Sequence, residues 1–524
     1  MLSQTLVRCL PDFWKLSQAY MEEMYQKPTA KGVGRRRRPG LNLEKVTKCH
    51  SLLEEIIEKY SQYVLRLTGI LSEDESMVSL DCMGPVQIQA TMQRLPQTHA
   101  LLAGHFMTAI MELVVNTAND IEAIDMAQEP AIILANLISQ LKAGLVLFLC
   151  EMWDRDAQYM SLHENWCLHH GTSYWPPFYI ARRDRQNAEG SPATVADIAA
   201  NTELLPLFLR TAQTISNQLG TIHSAALQPG KSTRTMMQGQ TPHFDATFDE
   251  GQRLQSERSH ELHDMAVAHV KRTFFGTLYA FLDTLHMLAF STQPLPDARA
   301  ASLDDGEDYA AGGDAPSLPT NSTAETTRQE QSKGSARHST RSFFVLATLC
   351  NLTAFRLFVV PDLLHSKAVR YIFKLDVADE LPQLEKILRR LDDMIFSYYI
   401  RDKTRELSLI VHRGVLMGGF SWLTTEMPKD TQPYVSEALL YMVFTHAEIM
   451  DLIAEVGAGA EHHMVKQQPL TKRVFQVLAA SLAQDLLESI RAIDSFSEGG
   501  MLQCVLESLV ISQTLQTYLT APAN

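Results

Sequence analysis

Apolar residues recur along this chain at spacings of three and four. From Leu384 they fall at Leu384, Ile387, Leu388, Leu391, Met394, Ile395 and Tyr398, which puts them on one face of an amphipathic helix. The same period runs through Val435, Ala438, Leu439, Met442, Val443, His446, Ile449, Met450 and Ile453. It returns at Val474, Val477, Leu478, Leu482, Leu486, Ile490 and Ile493. A last stripe, Leu502, Val505, Leu506, Leu509 and Leu519, follows Gly499 and Gly500, a glycine pair expected to end the preceding helix. Upstream, the pattern predicts helices near residues 3–26, 41–70, 96–129, 130–160, 197–218 and 258–291. Convincing strand alternation closed by Asn-Gly or Asp-Gly turns is absent. The expectation is an all-α protein, an elongated stack of helical bundles in which each helix buries one stripe.

Two stretches break the pattern. Residues 219–257 include QPGKSTRTMMQGQTPHFD and read as a flexible linker. Residues 292–341 are rich in Ser, Thr, Gly, Ala and Asp, a composition that cannot bury enough apolar surface to order itself. The expected division is therefore an N-terminal helical region over 1–291, a disordered insert over 292–341 and a C-terminal helical region over 342–524. No period of 33–45 residues marks an ankyrin, TPR or HEAT array.

The chain has 524 residues, 45% hydrophobic and 20% charged, a globular balance. Its formal charge is −14, which argues against bulk nucleic-acid binding, since neutralising phosphates needs a basic footprint. Seven cysteines are scattered without a CxxC pair, as suits free thiols in a reducing compartment. The N-terminus MLSQTLVRCLPDFWK lacks the apolar core of a secretory signal, so the sequons at Asn321 and Asn351 are expected to be chance matches. The most apolar window, Ala131 to Cys150, is broken by Asn136, Ser139, Gln140 and Lys142. About eight uninterrupted apolar residues remain, short of the roughly 18 a span needs. It is read as a buried core helix, in a chain that is not transmembrane.

Candidate chemistry is sparse. Arg35, Arg36, Arg37 and Arg38, beside Lys31, form a dense cationic run. They suit anionic lipid headgroups or an import signal, or simply a solvated loop. His163, Cys167, His169 and His170 lie in SLHENWCLHHG. His163 and Cys167, four apart, could share a helix face and suit zinc, but no second ligand pair has finger spacing. His446, followed by Glu448, lies on an apolar stripe and reads as a buried histidine. Asp392 and Asp393 read as a solvated face. Phosphate-loop, nucleophile-elbow and dinucleotide motifs are all missing. No catalytic residue, cofactor or metal is assigned.

Several stretches resemble a known family. They are FFVLATLCNLTAFR (343–356), LDDMIFSYYIRDKTRELSLIVHRGVLMGGFSW (391–422), YVSEALLYMVFTHAEIMDLI (434–453), DSFSEGGMLQCVLESLVISQTLQTYL (494–519) and CLPDFWKLSQAY (9–20). In their order and spacing they are similar to the exocyst component two, or Sec-five, subunit family. The Gly-x-x-x-Gly-x-Phe-x-Trp segment of that family falls here on Gly414, Gly418, Phe420 and Trp422. The two glycines are expected to let the chain turn between helices, and the two aromatics to sit in the core. Residues 160–340 resemble nothing placed. The family carries a long portion before its PDFWKL element, so this chain looks N-terminally truncated. Animal members also carry an immunoglobulin-like domain that binds Ral GTPases. No such segment is present here, and Ral binding is not carried over.

The resemblance implies a non-catalytic subunit of a tethering complex that docks secretory vesicles at the plasma membrane before fusion. It implies a cytoplasmic protein, peripheral at exocytic sites and on vesicles. Its partners would be other exocyst subunits, with small GTPases and anionic lipid as further candidates. Two other readings stay open. One is a helical regulator of a small GTPase, with Arg401 or Arg405 as an arginine finger. The other is a helical cargo adaptor.

Overall fold

The structure, a computed structural model, describes residues 2–21, 43–70, 99–122, 128–166, 168–169, 201–226, 246–290, 341–423, 425–454 and 469–519. These residues are helical apart from turns, short connections and one two-residue ladder. The helices are α1 (Leu2–Met21), α2 (Leu43–Leu67), α3 (Ala100–Glu122), α4 (Gln128–Gln158), α5 (Leu204–Ser224) and α6 (Ala246–Phe290). They continue with α7 (Arg341–Leu364), α8 (Glu380–Met417), α9 (Pro433–Ala454), α10 (Pro469–Arg491) and α11 (Glu498–Leu519). The ladder pairs β1 (Leu168–His169) with β2 (Asn201–Thr202) antiparallel.

The chain forms two compact units. The first holds Met1–Tyr159, Leu209–Ala280 and Asp362–Asp379, and the second Met160–Phe208, Phe281–Pro361 and Glu380–Asn524. They interleave along the sequence, so a division into 1–291 and 342–524 does not follow them. The stretch expected as a linker at 219–257 is narrower, because α5 continues to Ser224 and α6 begins at Ala246. Leu219 and Ile222 are buried, and their packing prolongs α5 past the predicted end. The expected insert lies outside the described residues up to residue 340.

In the first unit α1 packs on α2 and α3, and α4 on α2 and α3. Helix α1 buries Leu10, Trp14, Ser17 and Met21, a stripe at helical spacing. Helix α2 buries Cys49, Leu53, Ile57, Tyr60 and Val64 in the same way. Each such Leu or Ile contributes about 1.5–3 kcal/mol relative to exposure. Helix α4 is buried around most of its girth from Leu134 to Trp153, as its apolar window suggests. By length and composition alone, α3, α4 and α7 are long and apolar enough to cross a membrane. For α4 this corrects the count of uninterrupted residues, since its mean hydropathy over 18 residues is 1.9 despite Lys142. Here 61% of that window is buried inside the protein.

The second unit is centred on three rings. Phe208 stacks on Phe281 with centroids 4.3 Å apart, and Phe355 meets Phe281 at 4.9 Å and Phe208 at 5.8 Å. Phe355–Val359 form a π-helical turn within α7, just ahead of Pro361. Proline lacks an amide donor, and a widened turn accommodates the lost helical bond. Asn351 is 1% exposed. Its amide nitrogen donates to Thr202 Oγ1 (2.7 Å), and its oxygen accepts the Thr202 N–H (2.9 Å). Thr202 Oγ1 in turn donates to Glu164 (2.7 Å). A side chain so enclosed has no room for a glycan. At the C-terminal end α8 packs on α9 and α10, and α11 packs on α9 and α10.

Candidate interaction surface

The residues singled out for chemistry do not converge. Arg35 to Arg38, Cys167 and His170 lie outside the described residues. His163 ends a 3-10 turn (Met160–His163) and is exposed. Residues 164–166 leave the helix. Among the described residues no cluster of three potential metal ligands occurs. Arg401 and Arg405 lie mid-way along α8 beside Asp402 (4.0 Å) and Glu406 (3.2 Å), with Arg401 also over the Tyr398 ring. Neither stands on a loop. His446 is half-buried, edge-on to the rings of Phe475 (5.7 Å) and Tyr518 (5.3 Å), which stack on each other, and burial lowers its pKa. Asp393 is exposed, as a solvated face requires, whereas Asp392 is half-buried. Both bind the Arg473 guanidinium (3.1 and 2.5 Å), whose Cζ lies 3.9 Å from the Phe396 ring centroid.

Three of the thiols are inert. Burial pushes Cys150 and Cys350 up to about 12 and Cys504 up to about 11, so none supplies a thiolate near neutral pH.

The family-like glycines and aromatics meet at a junction of α8, α9 and α11. Gly414 is not a turn residue. It lies within α8, and a Cβ there would overlap the Tyr434 side chain at the start of α9. Gly418 follows the last residue of α8, and a Cβ there would overlap the Gly414 carbonyl. The turn belongs to Gly419, whose φ of 74° is left-handed, a conformation open to glycine after a helix end. Trp422 is buried, its Nε1–H donating to the Val415 carbonyl (3.0 Å). Its ring meets the half-buried Phe420 at 4.9 Å and Phe496 at 5.8 Å.

The connection from Gly418 to Gln432 then runs along α11. The Trp422 carbonyl accepts from Ser497 N–H (3.1 Å) and Ser497 Oγ (3.3 Å). Gly499 and Gly500, expected to end a helix, lie instead in the first turn of α11. Gln503 Nε2 donates to the Asp430 carbonyl (3.0 Å) and to Glu507 (2.7 Å). Glu507, 1% exposed, also accepts from the Gln432 N–H (3.1 Å) and the Tyr434 hydroxyl. Burial, reinforced by Glu507, raises the Tyr434 pKa and keeps that hydroxyl a donor.

This network turns α11 over. Its buried face is Gly500, Gln503, Glu507, Ile511 and Leu515, while Val505 and Leu509 from the predicted inward stripe are exposed. Three carboxylate bonds outweigh the apolar preference, because an unpaired buried carboxylate costs several kcal/mol (roughly). Sequence reasoning missed Tyr434, Gln503 and Glu507, and misread Gly500. The legible signal was the polar pair Gln503 and Glu507, one turn apart in an otherwise apolar segment.

Comparison with known proteins bears on the whole chain. The human protein "Exocyst complex component 2" is 27% identical over 133 residues, which are 25% of this chain and 13% of that relative. The mouse protein of the same name is 27% identical over 137 residues, 26% of this chain and 13% of the relative. The aligned stretch thus spans about an eighth of the length of these curated relatives. No solved structure matches the chain significantly. The profile of the family "Exocyst complex component Sec5" matches residues 1–524, and the chain belongs to that family.

Proposed function

We propose that this chain is a non-catalytic subunit of the exocyst that binds other exocyst components through helix faces. In the assembled complex it helps hold secretory vesicles at the plasma membrane before fusion. The observation that carries this reading is the family match over residues 1–524. The distribution of side chains supports it. Histidines, carboxylates and arginines that sequence reasoning weighed for chemistry are dispersed or engaged in structural pairs. The protein works in the cytoplasm as a peripheral component at exocytic sites. Burial of much of the apolar surface of α4 and α7 favours that over insertion.

Anionic lipid is a second contact, through Arg35 to Arg38. Each such residue near an anionic leaflet adds about 1 kcal/mol, and salt weakens the effect. A GTPase-regulating role gains no support from Arg401 and Arg405, which sit in helix-surface pairs. Affinity capture of the tagged chain from its own cells, with mass spectrometry, tests the reading. Recovery of other exocyst components is expected. Recovery of only a small GTPase or a set of cargo proteins contradicts it.

A further inference from the structure

The face that α11 turns to solvent is apolar. Met501 is 61% exposed, Val505 51% and Leu509 61%, and their spacing of four sets them in one line along the helix. Ser508, Ser512, Gln513 and Gln516 are the exposed residues around them, and Glu498 is the one exposed charge among the described residues of the helix. The line begins at the crossing where Gly500 abuts the Trp422 carbonyl. Leu423, the residue after Trp422, is 61% exposed at the same crossing, and Met427 further along the connection is 70% exposed. Unbranched methionines adapt to a partner's shape. An exposed apolar line on a folded helix is the kind of feature that a partner covers.

The surrounding charge selects the occupant. From Ala492 to Asn524 the sequence has no Lys, Arg or His. Over that stretch and the 418–432 connection, the exposed charges among the described residues are Glu426, Asp430, Asp494 and Glu498 against Lys429, with Arg491 exposed just before Ala492. An acidic excess at the start of the helix and on the connection beside it repels an anionic membrane and attracts a helix with an apolar stripe and basic flanks. We propose that the outward face of α11, with Leu423 and Met427, docks a basic amphipathic helix from another component of the same complex. This rests on the reading of the chain as a complex subunit.

The probe is a synthetic amphipathic helix of about 18 residues built from leucine and lysine. Its controls are the same composition scrambled and vesicles of phosphatidylcholine with phosphatidylserine. The full chain is expected to bind the patterned peptide about tenfold more tightly than the scramble, and the vesicles weakly. Replacing the line together, by Met501→Ser, Val505→Ser and Leu509→Ser, is expected to weaken peptide binding about tenfold or more. Helix content should hold, because these side chains are exposed. Asp494→Lys with Glu498→Lys should weaken binding and flatten its salt dependence. Equal affinity for the triple variant, equal affinity for the scramble, or vesicle binding that depends on the line in place of peptide binding overturns the proposal. Co-elution with exocyst components separates the two claims. A parent chain that fails to co-elute contradicts the subunit reading, whereas co-elution with unaltered peptide affinity in the triple variant contradicts the docking surface alone.

Discussion

Gly500, in the first turn of α11, lies directly against the backbone carbonyl of Trp422, with no space for a Cβ between them. Ser497 donates to that same carbonyl from its backbone and its hydroxyl. The start of the last helix and the end of the α8 turn are thereby fixed to one oxygen atom.

Gly500→Ala is a direct test of this contact. Alanine is the better helix former by about 1 kcal/mol. Here the added carbon meets rigid backbone rather than a movable side chain, and overpacking costs about 1–3 kcal/mol. Net destabilisation in chemical denaturation is expected. A more stable variant would show that the crossing relaxes.

Trp422 separates packing from hydrogen bonding. Trp422→Ala is expected to cost about 3–5 kcal/mol, as for other buried large aromatics. Trp422→Phe keeps most of the ring and loses the bond to the Val415 carbonyl, for about 1–2 kcal/mol. Melting curves of the two variants that coincide contradict the arrangement.

The Lys403–Glu448 pair is largely enclosed, at 15% and 19% side-chain exposure. Removing one partner strands the other. Lys403→Met is expected to cost about 3 kcal/mol, while Lys403→Met with Glu448→Leu recovers most of it. A double variant as unstable as the single one contradicts the pairing.

His223 gives the first unit a pH dependence. It is 8% exposed, its ring tilted against those of His263 at 4.6 Å and Phe373 at 4.7 Å, and its Nδ1 has no partner. Burial, with help from His263 and Lys142, pushes its pKa down to about 4. A histidine that resists protonation when folded contributes full stability above its unfolded value near 6.5. That contribution fades as pH falls from there toward 4, by up to about 3 kcal/mol. His223→Gln should flatten the stability profile across this window. An unchanged slope contradicts the burial argument.

The sequence showed the helices because their period is carried by many residues at once. The stripes of α8, α9 and α10 point inward at Leu384, Leu388, Val435, Met442, Val474 and Leu478 as expected, while Ile387, Met394, Val443 and Val477 at their edges are exposed. Helix ends were less legible, since Leu219 and Ile222 prolong α5 through tertiary burial that no local rule encodes. The roles of Gly414 and Gly500 were misread for the same reason. Close approach of Tyr434 or of the Trp422 carbonyl is a long-range fact, and locally a glycine suggests only a turn. The orientation of α11 was hidden most deeply. Period alone favours burying Val505 and Leu509, and only the Gln432, Tyr434 and Gln503 donors gathered around Glu507 reverse it. Family-like motifs survived this, because their order along the chain does not depend on which face is buried.

The central claim is that this chain is a working part of the exocyst. Its most direct test is size-exclusion co-elution of the purified chain with the other exocyst components in moderate salt, each fraction resolved by mass spectrometry. The account predicts a shared peak at a mass well above the 58.8 kDa of the chain alone, with stoichiometric partner subunits. Elution apart from those components, with the chain folded and helical by circular dichroism, would contradict it.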